Sequence, residues 1–93
     1  MPVTRVNHFF ARPGQVDNLH TFLQSVIDIV QNCAGCLECQ LLRAVDDPHQ
    51  LLILERWASI DDHRRAAQAI APEQLAAVMP LLAQPPTGSY YTS

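Results

Sequence analysis

Val3 to Phe10 is dominated by β-branched and aromatic side chains, and this pattern predicts a strand. On it, Val3, Arg5, Asn7 and Phe9 share one face, while Thr4, Val6, His8 and Phe10 share the other. Arg12-Pro13-Gly14 ends the strand in a turn. From Val16 the apolar period becomes helical. Val16, Leu19, Leu23, Val26, Ile27 and Val30 form one stripe, widened by Phe22 and Ile29, and the helix is expected to end before Gly35. Cys36 to Arg43 and Gln50 to Trp57 read as two strands joined by the turn Asp46-Asp47-Pro48-His49. So short a connection makes them an antiparallel hairpin. A helix beginning at Ser59, with Asp62 in a capping-box position, is expected to run to about Ile70. Pro72 restarts a helix, along which Leu75, Val78, Met79 and Leu82 recur at helical spacing. Pro80 should bend or end it, because proline has no N–H to bond back to Ala76. After Pro85-Pro86, Thr87 to Thr92 predicts a last short strand.

The resulting order is β-α-β-β-α-β with an extra helical piece before the final strand: an α+β fold of the split β-α-β, ferredoxin-like kind. Helices on one side cover one sheet face, yet Leu51 to Leu54 is apolar without a break and demands cover on both. A second copy packed sheet against sheet about a two-fold axis supplies that cover, so a homodimer is expected.

Composition narrows the function. Ninety-three residues make one domain, and an apolar fraction of 48% is that of a globular protein. The net charge of −3 includes six scattered arginines and no lysine, which argues against a nucleic-acid binder and excludes Schiff-base chemistry and a lysine-type phosphate loop. No window approaches a membrane span, and the N-terminal residues do not form a signal peptide, so a cytoplasmic protein with reduced thiols is expected. Cys33, Cys36 and Cys39 imitate a cluster-binding run. However, a fourth ligand is missing, no histidine stands nearby, and strand parity puts Cys36 and Cys39 on opposite faces. Core filler is the expected role, and neither a metal nor another cofactor is expected. His8, His20 and His49 show no ligand spacing.

Four segments together resemble the antibiotic biosynthesis monooxygenase family: V-T-R-V-N-H-F, P-G-Q-V-D-N-L, A-G-C-L-E-C-Q-L and L-E-R-W-A-S-I-D-D-H. The C-terminal V-M-P-L-L-A-Q-P-P-T-G-S-Y-Y resembles a subset of its small members. The most specific piece is Glu55-x-Trp57 followed by the Ser59-capped helix. The resemblance implies a dimeric α/β barrel built from ferredoxin-like halves. It also implies oxidation of polyphenols or quinols by O2 without metal or flavin, or, in other members, haem degradation. Haem-degrading members carry their ligating histidine about one turn beyond His63, where this chain has Ala66 and Ala67, which cannot bind iron.

Three residues are the candidates for catalysis, each with a plainer structural alternative. Asn7 matches an asparagine that the resemblance places against a substrate oxygen; otherwise its amide pairs with a neighbouring side chain. Trp57, on the face of Leu51, Ile53 and Glu55, could wall a flat ring and donate its indole N–H, or simply fill the core. His63 could move a phenol proton, or face solvent. Arg5, Phe9, Phe22 and Met79 are assigned to substrate binding, with an exposed or ion-paired role as the alternative for Arg5. Glu55 reads as a carboxylate paired with an arginine, or as a base in the pocket. Tyr90 and Tyr91 point to opposite faces, so at most one reaches the site. The expected function is a cofactor-independent monooxygenase acting on a quinol or hydroxylated aromatic. A non-catalytic dimeric binder of a small hydrophobic molecule is the alternative, and a haem-degrading monooxygenase, which Ala66 and Ala67 disfavour, is the third reading.

Overall fold

The computed structural model describes residues 1–93. Four strands, β1 (Val3–Phe10), β2 (Cys36–Arg43), β3 (Gln50–Trp57) and β4 (Thr87–Tyr91), form one sheet in the order β2-β3-β1-β4, with every neighbouring pair antiparallel. Helices α1 (Val16–Val30), α2 (Ile60–Ala67) and α3 (Pro72–Val78), with a 3-10 turn at Met79–Leu81, complete the ferredoxin-like α+β fold. None of them is long and apolar enough to cross a membrane.

Most predicted boundaries hold, and the departures have local causes. Helix α2 stops at Ala67 rather than near Ile70, because the next three N–H groups bond three residues back instead of four. Pro72 disfavours helical dihedrals in the residue before it, and Ala71 is extended at φ −65°, ψ 145°. Gln74 Oε1 accepts the Ala71 N–H at 3.0 Å, and Pro80 converts the end of α3 into the 3-10 turn.

The expected parity of the cysteines is overturned. Strand β2 slips its register between Cys36 and Glu38, leaving Leu37 as the extra, exposed residue. Cys36 therefore lies opposite Trp57 and Cys39 opposite Glu55, so both thiols face the same side of the sheet. Cys33, Cys36 and Cys39 all pack against the cluster of Val3, Val30, Trp57 and Ala66.

That cluster occupies one end of the helix-covered face. The other end is a larger apolar core in which Leu19 and Leu23 of α1 meet Leu51 and Ile53 of β3 and Leu82 beyond the 3-10 turn. On the opposite sheet face no helix packs; Leu52 and Leu54 are half-buried and Leu42 is exposed. The start of α2 is fixed from both sides. Ser59 caps it by accepting the Asp62 N–H at 3.2 Å, and its hydroxyl donates to Asp62 Oδ2 at 3.0 Å. Gly35, at φ +87°, leaves room for the Asp62 side chain where a Cβ would stand, and its carbonyl accepts the Ala58 N–H at 2.8 Å. These contacts aim the first turn of α2, and with it His63, at the sheet.

Candidate active site

The β1–β3 register sets Arg5 opposite Glu55 and Asn7 opposite Ile53, so Asn7 and Glu55 are diagonal neighbours on the helix-covered face. Glu55 is the one charged residue of the buried set, with 5% of its surface exposed. Its two oxygens are addressed separately. Trp57 Nε1 donates to Oε1 at 2.8 Å, and Asn7 Nδ2 donates to Oε2 at 3.0 Å. Arg5 Nε donates to Asn7 Oδ1 at 3.1 Å, which fixes the amide with its NH2 toward the carboxylate. Arg5 makes no ion pair, contrary to its plainer reading; its guanidinium instead lies 4.6 Å from the centroid of the Tyr90 ring. Glu55 is likewise held by neutral donors rather than by an arginine salt bridge.

His63 closes the constellation from α2. Its side chain is 16% exposed, so it is turned to the sheet rather than to solvent. Nε2 lies 3.9 Å from Glu55 Oε1, and Nδ1 is 2.6 Å from the Tyr90 hydroxyl. The imidazole meets Trp57 and Tyr90 edge-on, with centroids 5.6 and 5.3 Å away.

Burial sets the electrostatics. Desolvation raises the pKa of Glu55, outweighing the Trp57 hydrogen bond, the charge of Arg5 and the Asn7 hydrogen bond, which all favour its anion. Desolvation, followed by the charges of Arg5 and Arg64, lowers the pKa of His63 and keeps its ring neutral at pH 7. The Cys39 thiol is pushed up to about 12 by burial and by its neighbours Glu55 and Cys36, and Cys36 is raised by burial, Glu55 and Cys33 against its hydrogen bond to the Glu38 carbonyl. Both are thus protonated and poor nucleophiles. No three His, Cys, Asp or Glu side chains are grouped so as to hold a metal ion.

The polar constellation forms one end of a cavity of about 260 Å3. Phe9, Phe22, Leu23, Val26, Leu75 and Val78 line the rest, so the cavity is apolar with one hydrogen-bonding end. Six of the seven expected site residues meet there: Arg5, Asn7, Phe9, Phe22, Trp57 and His63. Met79 does not. It is 50% exposed and outside the cavity, because Pro80 turns the chain at that point and Leu75 and Val78 take the wall.

Gly88 was not legible as a site residue. It lies opposite Asn7 on β4, and a Cβ there would collide with the Arg5 guanidinium and Asn7 Oδ1. Its lack of a side chain is what lets the Arg5–Asn7 pair lie flat across the edge strand. Tyr90 is the tyrosine that reaches the constellation, while Tyr91 is 55% exposed.

A family model described as antibiotic biosynthesis monooxygenase matches residues 2–83. No curated protein matches the chain. Among solved structures, Rv0793 from Mycobacterium tuberculosis superposes with a TM-score of 0.87 at 23% identity, covering 100% of this chain and 95% of that one. A conserved protein from Methanosarcina mazei Go1 gives a TM-score of 0.89 at 16% identity, covering 100% and 93%. SnoaB from Streptomyces nogalater, described as a cofactor-independent oxygenase, gives 0.82 at 21% identity, covering 99% and 92%. At these identities the likeness is one of fold.

Proposed function

The chain belongs to the antibiotic biosynthesis monooxygenase family, and on that premise we propose that it is a cofactor-independent monooxygenase that oxidises a quinol or hydroxylated aromatic with O2. The observation that carries this reading is the buried carboxylate of Glu55 at the hydrogen-bonding end of an otherwise apolar cavity. The fold likeness to SnoaB supports it.

The chemistry asks little of the protein. An electron-rich phenol, once deprotonated, can pass one electron to O2 unaided. The ring sits among Phe9, Phe22 and the aliphatic wall with its hydroxyl toward Glu55. Burial makes Glu55 a stronger base than an exposed glutamate, and proton transfer to it leaves the phenolate. One electron then moves to O2, giving a semiquinone radical and superoxide. They combine through a new C–O bond to a peroxide anion, which takes a proton back. O–O cleavage expels water and leaves a carbonyl on the ring carbon. The substrate has lost two hydrogens and gained one oxygen; the water carries those hydrogens and the second oxygen.

Asn7 and Trp57 act on the carboxylate rather than chiefly on the ring. Each already donates to Glu55, so they hold the base in place; the second N–H of Asn7 remains for the substrate oxygen. The dry apolar wall keeps the radical pair from water.

The homodimer belongs to the same proposal. The half-buried Leu52 and Leu54 and exposed Leu42 form the face that a second copy would cover, and Leu52→Glu should convert a dimer to a monomer in analytical ultracentrifugation. A wild-type monomer at micromolar concentration would remove this part of the reading.

The functional test is oxygen uptake by metal-free, flavin-free protein on a panel of quinols and polyhydroxylated aromatics, beside an Asn7→Ala, Trp57→Phe double variant. Uptake above the spontaneous rate that disappears in the variant is expected. If every compound is instead retained unchanged under air, the chain is a binding protein rather than an enzyme.

A further inference from the structure

Glu55 is walled off from solvent by its own hydrogen-bonding partners, and a bound ring would seal the remaining side. A base in that position needs a way to exchange its proton during turnover. We propose that Glu55, His63 and Tyr90 form a proton conduit to solvent, in which Tyr90 is a positioning residue that sets which ring nitrogen of His63 carries the proton. The proposal rests on the reading of Glu55 as the base that receives the substrate's hydroxyl proton.

Three observations carry it. His63 stands between the other two, with Nε2 toward Glu55 Oε1 at 3.9 Å and Nδ1 bonded to the Tyr90 hydroxyl at 2.6 Å. Tyr90 does not line the cavity; it lies on β4, an edge strand, and is half-buried, so part of its surface meets solvent. The groups facing His63 are Arg5 from β1, Glu55 from β3, Tyr90 from β4 and Arg64 from its own helix, while Cys36 and Cys39 of β2 face Glu55 with neutral thiols. Burial, and after it the charges of Arg5 and Arg64, disfavours a resting imidazolium, so the ring passes a proton rather than storing it.

A neutral imidazole has one N–H and one lone pair. When Glu55 is a carboxylate, the favoured tautomer carries its proton on Nε2, facing the anion, and Tyr90 donates to Nδ1. When Glu55 is protonated, its O–H faces a lone pair on Nε2, and Nδ1–H donates to Tyr90. A proton arriving on Glu55 therefore reverses both hydrogen bonds. When Glu55 then passes it to Nε2, Nδ1–H passes to the Tyr90 oxygen, the Tyr90 hydroxyl proton leaves to water, and the first arrangement is restored with one proton released. The 3.9 Å gap is longer than a hydrogen bond and closes with a side-chain movement of about 1 Å. Run inward, the same chain returns a proton when the peroxide anion needs one. One quinol and one O2 thus still give one oxygenated product and one water, with no net proton taken from solvent.

Tyr90→Phe tests the conduit, since it removes the hydroxyl and keeps the ring beneath Arg5. Nitrogen-15 NMR of histidine-labelled protein, free of substrate, reads the tautomer of His63 as pH varies, with His63→Gln identifying its signals. In the wild type the proton should move from Nδ1 to Nε2 as Glu55 loses its proton. In Tyr90→Phe the Nε2–H tautomer should persist throughout. In oxygen uptake, the variant should lose kcat by about tenfold with KM little changed, a loss below the usual range for a direct acid–base group. Equal tautomer behaviour in the two proteins would overturn the conduit, whatever the activity. A tautomer switch that needs Tyr90, in a protein that oxidises no quinol, would uphold the conduit and reject the oxygenase reading.

Discussion

The two ends of the helix-covered face are built on opposite principles. At one, Leu19, Leu23, Leu51 and Ile53 are sealed together with no polar group among them. At the other, Trp57 is fully buried yet its indole N–H is committed to Glu55, and three cysteines, a histidine and a tyrosine crowd the same few ångströms. The first end gains stability from every methylene it removes from water. The second carries a desolvated carboxylate, which costs stability unless hydrogen bonds offset it. The two clusters share Cys39 as a neighbour and the cavity spans both; in the proposed reaction the apolar end would hold the ring and the polar end would act on its hydroxyl.

Substitutions at the two ends should therefore fail differently. The largest effect belongs to Glu55→Gln. It is close in shape but is no longer a base, and one of the two donors from Asn7 and Trp57 loses its acceptor. Quinol oxygenation should fall by roughly 100-fold or more, the range for losing a general base, while circular dichroism shows the fold retained. Leu19→Ala, in the same core but outside the cavity wall, should do the reverse. It should lower the free energy of unfolding in urea by about 2–5 kcal/mol, with the chemistry at Glu55 kept at temperatures where the protein stays folded. Equal loss of stability and activity in both variants would show that the ends are not separable.

Much of this comparison could be anticipated from the chain, and the rest had physical reasons to stay hidden. Strands β1, β2 and β3 and helix α1 follow directly from periodicity, because their apolar positions repeat at periods of two or 3.6 over many residues. The face shared by Leu51, Ile53, Glu55 and Trp57 follows from the same parity. The Leu37 bulge does not, since a single extra residue leaves no compositional mark, and it reverses the parity of Cys39 relative to Cys36. Nor does the carboxylate's pairing. That Glu55 bonds Asn7 and Trp57 rather than an arginine depends on the register of strands 48 residues apart in sequence. Met79 was misplaced because helical spacing was carried through Pro80, where the chain changes to a 3-10 turn.

Smaller effects sharpen the polar end. Gly88→Ala forces Arg5 and the Asn7 amide from their places and should slow oxygenation about tenfold, as displacement of a positioning group does. Gly88→Ala with unchanged rate and KM would mean that the Arg5–Asn7 pair is dispensable. The smallest signal is the pH dependence of stability. Glu55 binds its proton more tightly folded than unfolded, so its contribution is full below its ordinary pKa of 4.5 and is lost as pH rises through the raised value. His63 binds its proton less tightly when folded. Its contribution is full above 6.5 and is lost as pH falls through the lowered value. Urea midpoints measured across this range should therefore differ in opposite directions between wild type and Glu55→Gln, and between wild type and His63→Gln.

The most direct test of the buried carboxylate as the working base is the pH profile of kcat/KM for oxygen uptake on the best quinol, in wild type and Glu55→Gln. An acid limb lying above 4.5 in the wild type, absent from the residual rate of the variant, is the predicted result. The same limb in both proteins, or equal rates, would contradict it.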